Sequence, residues 1–192
     1  LGLYGRSPYN MVRLEYALPE TEDGDVYLRA AATFRQWLAR GVLQHDEAPA
    51  LYVHDHAFEF RGQRHVRRGL IARLRLRPWY EGVYPHELTG TRAKQDRLDL
   101  MRACHASFSG PLGLYEDRDG IVAEALEDSL TGTFRQDAVE DGDSHTFRIV
   151  SDPDSIARIR KAFSDESIYI ADGHHRYETA LIYQIERRAT AP

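Results

Sequence analysis

The chain has 192 residues, 42% of them hydrophobic and 29% charged, with a formal net charge of −5. This composition is typical of a globular protein with a real core, and the acidic balance argues against nucleic acid as a partner. The single cysteine, Cys104, excludes an internal disulfide framework and predicts a reducing, cytoplasmic compartment. No apolar run approaches the roughly 18 residues needed to span a bilayer, so we expect no membrane partner.

Both ends of the chain look cut. It begins with Leu1 rather than Met, and its last predicted helix runs to Pro192 without an obvious partner. We therefore predict one α+β domain over residues 1–192, truncated at both ends from a longer protein. The sequence leaves the oligomeric state open.

Apolar spacing predicts a helix and then a β-hairpin in the first part of the chain. Apolar residues repeat at helical spacing over 27–38 after a turn at 23–25, and Gly41 is placed to end the helix. Two further runs, 51–60 and 66–76, predict the strands of the hairpin. One face of the second strand is either a solvated outer face or a basic wall that faces a ligand. Its arginines are Arg67, Arg73, Arg75 and Arg77.

The rest of the chain alternates helices with short strands. This alternation, together with the hairpin, predicts an α+β fold with a mixed sheet and flanking helices. Thr89 or Thr91 can cap the first of these helices, and Pro153 fits the first turn of the third. We predict helices over 91–108, 121–130, 153–163 and 176–188, strands over 112–115, 146–150 and 167–171, and an acidic loop over 137–144.

The turn after the last predicted strand carries the strongest chemical signal. An apolar strand runs into Asp172 and Gly173, and a helix follows. The start of a helix exposes about four unpaired N–H groups and a partial positive charge, so anions bind there. Gly173 permits a positive φ and a close approach of the ligand, while His174, His175 and Arg176 add donors. We therefore predict a site for an anionic, phosphate-bearing ligand.

Asp172 is unexpected in a turn that binds anions, because its carboxylate repels them. It can hold a divalent metal beside a phosphate, or it can orient His174 or Arg176. In a simpler alternative, Asp172 caps the helix and the histidines pack. The turn has neither the Walker pattern nor the glycines of a dinucleotide fingerprint.

Two histidine-containing segments are weaker candidates for chemistry. His86 and Glu87, just before a predicted helix, supply a base and a metal ligand, or they form an ordinary loop. His54 and His56 point to one face of a strand with the spacing of metal ligands, or they are half-exposed strand residues.

Three further residues have alternative interpretations. Asn10 and Arg13 can reach a site, or they belong to a turn that leads into an edge strand. Cys104 lies within a helical pattern, which favours a core residue over a nucleophile.

The order of these segments resembles the prokaryotic domain-of-unknown-function family 1015. Its most specific part is the Asp-Gly-His-His-Arg run at 172–176, and the likeness covers nearly the whole chain. The same run is similar to the strand–turn–helix of the ParB/sulfiredoxin-like superfamily, which binds nucleotide phosphates and includes nucleotide-dependent free-serine kinases. The segments that match family 1015 are 8–14, 37–43, 49–60, 68–70, 85–89, 96–98 and 171–180.

The resemblance implies a nucleotide-dependent kinase, with ATP or ADP and Mg²⁺, acting on a small hydroxyl metabolite such as free serine. The alternatives are a metal-dependent hydrolase with His54, His56 and His86 as ligands, and a non-catalytic nucleotide-binding, ParB-like module. The expected roles are Glu87 as base with His86 second, Asp172 at the metal, Gly173, His174, His175 and Arg176 at the phosphates, and Asn10 and Arg13 at the acceptor.

Overall fold

The computed structural model describes residues 2–19, 24–130, 134–140 and 142–190. One antiparallel sheet, one mixed sheet and the surrounding helices confirm the predicted α+β class. The helices in these ranges are α1 (Gly2–Arg6), α2 (Val12–Glu15), α3 (Val26–Ala39), α4 (Thr91–Cys104), α5 (Ile121–Asp128), α6 (Pro153–Ala162) and α7 (His174–Thr190). The strands are β1 (Leu51–Phe60), β2 (Gln63–Ile71), β3 (Val83–Tyr84), β4 (Leu112–Leu114), β5 (Phe134–Glu140), β6 (Asp143–Val150) and β7 (Ile168–Asp172).

Contacts within the chain group it into two compact units. The sequence predicts one domain over 1–192, whereas these contacts distinguish two bodies. No helix among the described residues is both long enough and apolar enough to cross a membrane. The first unit comprises Leu1–His45, Leu76–Leu114 and Ile168–Pro192, and the second comprises Asp46–Arg75 and Tyr115–Ser167.

The first unit is built on a three-stranded sheet in the order β3-β7-β4. Strand β3 runs parallel to β7, and β4 runs antiparallel to it. Val83 and Ile170 pack on Tyr177 of α7, and all three are 2% exposed. Burial of a side chain such as Ile170 stabilises a fold by about 1.5–3 kcal/mol. A second core joins α3 to α4, and its buried members are Ala30, Ala31, Leu100 and Cys104.

Helix α3 begins and ends where the sequence predicts. The Asp25 carboxylate accepts hydrogen bonds from the N–H groups of Tyr27 and Leu28, at 2.8 and 3.1 Å, and so caps the helix. Gly41 follows with a φ of +69°, a conformation that ends helices. Asp23 of the predicted turn lies outside the described residues.

The second unit is a four-stranded antiparallel sheet in the order β2-β1-β6-β5. Helices α5 and α6 contribute to its core. Val53 and Val150 from the sheet pack with Val122, Leu126 and Ile159 from these helices. Each of the five is at most 2% exposed.

The hairpin of β1 and β2 is confirmed, but its second strand is shorter than predicted. It stops at Ile71 although apolar alternation continues to Leu76. Tyr52, the second residue of β1, already pairs with Ile71, so the end of β1 is reached here and residues 72–76 have no paired strand among the described residues. Arg67 and the three further arginines of this run are exposed.

The predicted acidic loop over 137–144 is wrong, because most of it lies in the β5–β6 hairpin. Asp137 pairs with Thr146 across the hairpin, and its carboxylate accepts a hydrogen bond from the Thr146 hydroxyl at 2.5 Å. It also accepts hydrogen bonds from Arg135 at 3.0 Å. These neighbours satisfy the carboxylate on the exposed side of a strand, where charge is tolerated.

Candidate functional site

Two predicted clusters meet where adjacent strands end. Strands β3 and β7 are parallel neighbours, with Tyr84 opposite Tyr169, so their carboxyl ends lie at the same edge of the sheet. The chain leaves β3 into His86 and Glu87, and it leaves β7 into the turn at Gly173. In sheets with parallel strands, ligands commonly bind outside such ends.

Gly173 gives the turn its shape. Its φ is +86°, which favours glycine. An added Cβ atom would lie 2.5 Å from Nε of Arg176, because the guanidinium folds back over the glycine. The Gly173 carbonyl accepts hydrogen bonds from the N–H groups of Arg176 and Tyr177, at 2.9 and 3.1 Å. The N–H groups of His174 and His175 have no hydrogen-bond partner in the described part of the chain.

His174 is completely buried and faces the His86–Glu87 loop. Its Nε2 accepts a hydrogen bond from the His86 N–H at 3.2 Å, which places the proton of the neutral ring on Nδ1. Nδ1 lies 2.9 Å from Oε1 of Glu87. The angle is not that of a hydrogen bond, and Nδ1 has no partner within the described ranges. The buried His174 ring therefore holds the His86–Glu87 loop through this hydrogen bond.

His175 also contacts the backbone of this loop. Its Nε2 accepts a hydrogen bond from the N–H of Gly90 at 2.9 Å. Gly90 is the residue just before α4. The imidazole therefore accepts a hydrogen bond from one of the amides that have no partner within that helix. Both imidazoles thus bind the backbone of the loop and of α4, while the main-chain amides of His174 and His175 have no hydrogen-bond partner among the described residues.

Glu178 is a site residue that sequence reasoning missed. It lies one turn after His174 on α7 and accepts hydrogen bonds from Trp79 at 3.1 Å, Thr89 at 2.5 Å and Lys94 at 2.9 Å. Burial alone would raise the pKa of Glu178, but these three donors outweigh it and lower the pKa. Glu178 follows His174 by four residues and so lies on the same face of the helix, and this spacing could have indicated it from the sequence.

His86 and Glu87 present their side chains at the open edge. His86 Nδ1 lies 2.7 Å from the carbonyl oxygen of Ile170 and donates to it, which in a neutral ring leaves the lone pair on Nε2. The Glu87 side chain is 51% exposed. A basic nitrogen and a carboxylate therefore stand beside the turn.

Asp172, the last residue of β7, forms an ion pair with Arg176, four residues later on α7. The Arg176 side chain is 25% exposed, whereas that of Asp172 is 72% exposed. This ion pair is a direct contact that supports one of the predicted roles of Asp172, the orientation of Arg176.

A small cavity of about 20 Å³, room for roughly one water molecule, lies beside Arg176. Thr179 lines it from α7, Arg97 from α4 and Glu15 from α2. Two serine hydroxyls from the segment after α4 complete its polar lining. They belong to Ser107 and Ser109.

Asn10 and Arg13, the predicted acceptor residues, bind their own surroundings. The Asn10 side-chain oxygen accepts a hydrogen bond from the N–H of Val12 at 3.0 Å. The Arg13 guanidinium donates to the carbonyl oxygens of Tyr4 at 2.7 Å and Ser7 at 3.3 Å. Both side chains hold α1 and α2 in place, and α2 replaces the edge strand that was one alternative for this segment.

His54 and His56 lie in the second unit, whereas His86 lies in the first. His54 Nε2 is 3.0 Å from Nδ1 of His145, and His56 Nε2 is 2.8 Å from Oδ2 of Asp143. Burial, followed by His145 and His56, lowers the pKa of His54. Among the described residues, no three His, Cys, Asp or Glu side chains are grouped to hold a metal ion.

Cys104 is 8% exposed in the core between α3 and α4, which confirms its prediction as a core residue. Burial raises the pKa of its thiol. A thiol that stays protonated is a weak nucleophile.

Comparisons with known proteins give one match. Neither the curated proteins nor the solved structures yielded any, so the likeness of the turn to the ParB/sulfiredoxin-like superfamily stays a prediction. The family model described as "Protein of unknown function (DUF1015)" matches residues 2–192, which agrees with the resemblance drawn from the sequence. The chain therefore belongs to the DUF1015 family.

Proposed function

We propose that the chain is a nucleotide-dependent phosphotransferase that moves a phosphoryl group from ATP or ADP to a small hydroxyl metabolite, with free serine as the candidate acceptor. One observation carries the proposal. At the start of the 17-residue helix α7, the amides of His174 and His175 have no hydrogen-bond partner among the described residues, and they lie beside a glycine with a positive φ and an arginine guanidinium. This combination suits an anion.

Polyphosphate fits the donors of the turn. The two amides and the helix dipole attract one phosphate group, and Arg176 can grip a second in two-pronged fashion. The imidazoles of His174 and His175 contribute indirectly, because they fix the turn against the loop. Phosphoryl transfer depends mainly on such positioning and on charge neutralisation.

Asp172 suits a magnesium ion. Mg²⁺ in proteins is commonly held by one or two carboxylates together with substrate phosphates. The exposed Asp172 carboxylate directly precedes Gly173 of the turn. The ion would neutralise phosphate charge there.

Glu87 is the proposed base, with His86 Nε2 beside it. In the transfer, the acceptor oxygen bonds to the terminal phosphorus as the bond from that phosphorus to its bridging oxygen breaks. The nucleotide leaves one phosphate shorter and keeps the electron pair of the broken bond, and the hydroxyl proton passes to Glu87. A positioned base contributes about 10²- to 10⁴-fold to the rate.

The test is a thermal-shift titration of the chain with ATP, ADP and tripolyphosphate, with and without Mg²⁺. We expect stabilisation by nucleotide and a roughly tenfold or larger loss of affinity in Arg176→Ala, because a hydrogen bond to a charged group contributes about 1.5–3 kcal/mol. Arg187→Ala, an exposed arginine at the far end of α7, is the matched control.

Equal stabilisation of wild type and Arg176→Ala, or none by any nucleotide, would sink the proposal. Nucleotide binding without transfer to any metabolite would instead support a non-catalytic nucleotide-binding module. Transfer is read by mass spectrometry of a panel of small hydroxyl compounds incubated with ATP or ADP.

A further inference from the structure

The sheet of the second unit carries a set of flat rings on one face of its two central strands. His54 on β1 lies opposite Phe147 on β6, and His56 lies opposite His145. Val53, on the other face of β1, is buried in the core with residues of α5 and α6. The four rings are partly exposed, so the helices cover one face of the sheet and the face with the rings is open to solvent.

These rings stand upright on the sheet and stack across the two strands. The His54 and Phe147 rings lie 4.4 Å apart with 2° between their planes, and the His56 and His145 rings lie 4.5 Å apart with 8° between theirs. The planes of His54 and His56 are also nearly parallel, at 8°. One face of the His54 ring is therefore covered by Phe147, and its other face points toward β2.

Gly69 leaves an open slot beside that free face of His54. It lies directly opposite His54 in the pairing of β1 with β2 and is exposed. Among the described residues, no side-chain atom lies within 4 Å of a Cβ added at Gly69. Neighbouring strands are about 4.8 Å apart, so a flat ring stacked on His54 would lie above Gly69. Arg67 and Ile71 are the next residues on this face of β2, and they flank the slot.

Strand β2 and the residues after it form a basic edge of the same sheet. Residues 61–75 contain six arginines and no Asp or Glu. Arg64, Arg73 and Arg75 are exposed and form no ion pair with any described residue. The net charge of −5 belongs to the whole chain and hides this segment, which attracts polyanions locally.

We propose that this face of the second unit binds single-stranded nucleic acid. One base stacks on His54 above Gly69, and the phosphates on either side of it run along the basic edge near Arg64 and Arg73. Proteins that bind single strands commonly combine these two features, flat rings for the bases and a basic track for the backbone. This site is separate from the turn at Gly173 and does not depend on the proposed function.

The slot selects a single strand among the polyanions. The bases of a duplex are paired and stacked on each other, so none is free to enter the slot. An acidic peptide can pair with the arginines, but its carboxylates provide no flat ring to stack on His54. Only an unpaired strand uses both the slot and the basic edge.

The test is a fluorescence-anisotropy titration of the chain with three labelled decamers, one of deoxyadenosine, one of thymidine and one abasic. We expect both base-containing decamers to bind at low salt and to bind less tightly as salt is added. The abasic strand should bind at least about tenfold more weakly, because it loses the stacking. No binding of the base-containing decamers at low salt, or equal affinity for the abasic strand, overturns the proposal.

Gly69→Val fills the slot in a way that the strand accepts. The φ of Gly69 is not positive, and valine favours strands. We expect this variant to bind the deoxyadenosine decamer about tenfold more weakly and the abasic strand as wild type does. Val66→Ala, at an exposed position on the other face of β2, is the matched control. If the two variants bind the deoxyadenosine decamer equally well, no base lies in the slot and the inference is wrong.

Two arginine variants locate the phosphates. Arg64→Gln and Arg73→Gln should each weaken all three decamers by a similar factor and make the slope of log affinity against log salt shallower by about 0.7, the contribution of one phosphate contact on a single strand. Arg187→Gln, an exposed arginine of α7 in the first unit, is the control. Slopes that match wild type in both variants contradict the basic edge as the track.

Competition separates this surface from the turn of the first unit. Displacement of the decamer by saturating ATP, or loss of decamer binding in Arg176→Ala, places the strand at the turn and overturns the inference. Polyglutamate that displaces the decamer as well as unlabelled decamer does would identify a surface for acidic peptides instead. If the decamers bind as expected while ATP does not bind, the proposed function fails and this inference stands.

Discussion

The guanidinium of Arg176 packs directly against Gly173, so the two residues constrain each other. The glycine adopts a conformation that costs an L-residue about 1–2 kcal/mol, and the guanidinium occupies the space where a Cβ would be. Two separate penalties therefore oppose any side chain at this position. One comes from the backbone and the other from the overlap with Arg176.

These two penalties can be measured apart. We expect Gly173→Ala to lower the free energy of unfolding by about 1–2 kcal/mol through the backbone term, with a smaller addition from displacing the flexible end of Arg176. Part of this loss should disappear in the Arg176→Ala background, since the overlap is then gone. Urea denaturation of both single variants and the double variant gives the coupling.

Gly62 provides the matched control, because its φ is +72° but nothing lies within 4 Å of its added Cβ. Gly62→Ala should cost only the backbone term. A loss at Gly173 no larger than at Gly62, or full additivity with Arg176→Ala, would contradict the overlap.

His174 illustrates what residue type alone leaves open. The sequence predicts that His174 donates to a phosphate, yet its ring lies buried and accepts a hydrogen bond from the His86 N–H. Both roles suit an imidazole, and the direction of a side chain depends on neighbours distant in sequence. The strand, glycine and helix of this turn were predictable, whereas the orientation of its histidines was not.

At the scale of elements, Glu178 joins three parts of the first unit. Its carboxylate binds Trp79 before β3, Thr89 in the following loop and Lys94 on α4. Helix α7 thereby positions the loop that carries Glu87. The proposed base thus depends on a carboxylate one turn inside α7.

This dependence has a pH signature. The pKa of Glu178 is lowered from its ordinary value of 4.5, so its stabilisation is complete above about that pH and is lost as the pH falls through the folded-state value. We expect Glu178→Gln to cost about 1–3 kcal/mol at pH 7 and much less near pH 3. Urea denaturation at both pH values measures the difference.

Glu47→Gln, at an exposed position in the second unit, is the control and should show no such change. A Glu178→Gln penalty that stays constant from pH 7 to pH 3 would mean that the carboxylate acts through its shape rather than its charge.

The elements themselves followed largely from local patterns. Helix α3 was predictable because its apolar spacing, the Asp25 cap and Gly41 agree. Strand β3 was not, because two residues carry no periodicity, and its parallel pairing with β7 joins Tyr84 to Tyr169. Such pairing depends on the whole chain, which is why the meeting of the two clusters could not be derived beforehand.

At the scale of the whole molecule, the two units carry different titrating groups. In the second unit, the rings of His54 and His145 are stacked 5.2 Å apart, and those of His56 and His145 are 4.5 Å apart. In the first, the carboxyl groups of Glu178 and Glu186 have lowered pKa values. We therefore expect falling pH to destabilise the two units over different pH ranges.

We expect the second unit to lose stability first. The pKa of His54 is lowered from 6.5, so folding favours the neutral ring, and this contribution is complete above about pH 6.5 and lost as the pH falls below it. Hydrogen exchange read by mass spectrometry at pH 7.5 and 5.5 should show reduced protection of β1 and β6, with little change in β7.

His54→Gln removes the titrating ring and should flatten this pH dependence. The His45→Gln variant, at an exposed position of the first unit, is its control. Equal loss of protection in both units at pH 5.5, or an unchanged profile in His54→Gln, would contradict the assignment to the histidine stack.

The chain that follows the two-residue strand β3 cannot change in length without losing contacts. Tyr84 is fixed in register, His86 must present its amide to His174 two residues later, and Gly90 must reach His175. One residue inserted after Tyr84 would turn that amide away and carry Gly90 past its acceptor. A change of chain length is better placed at Gly62, where only a hairpin turn between two long strands has to adapt.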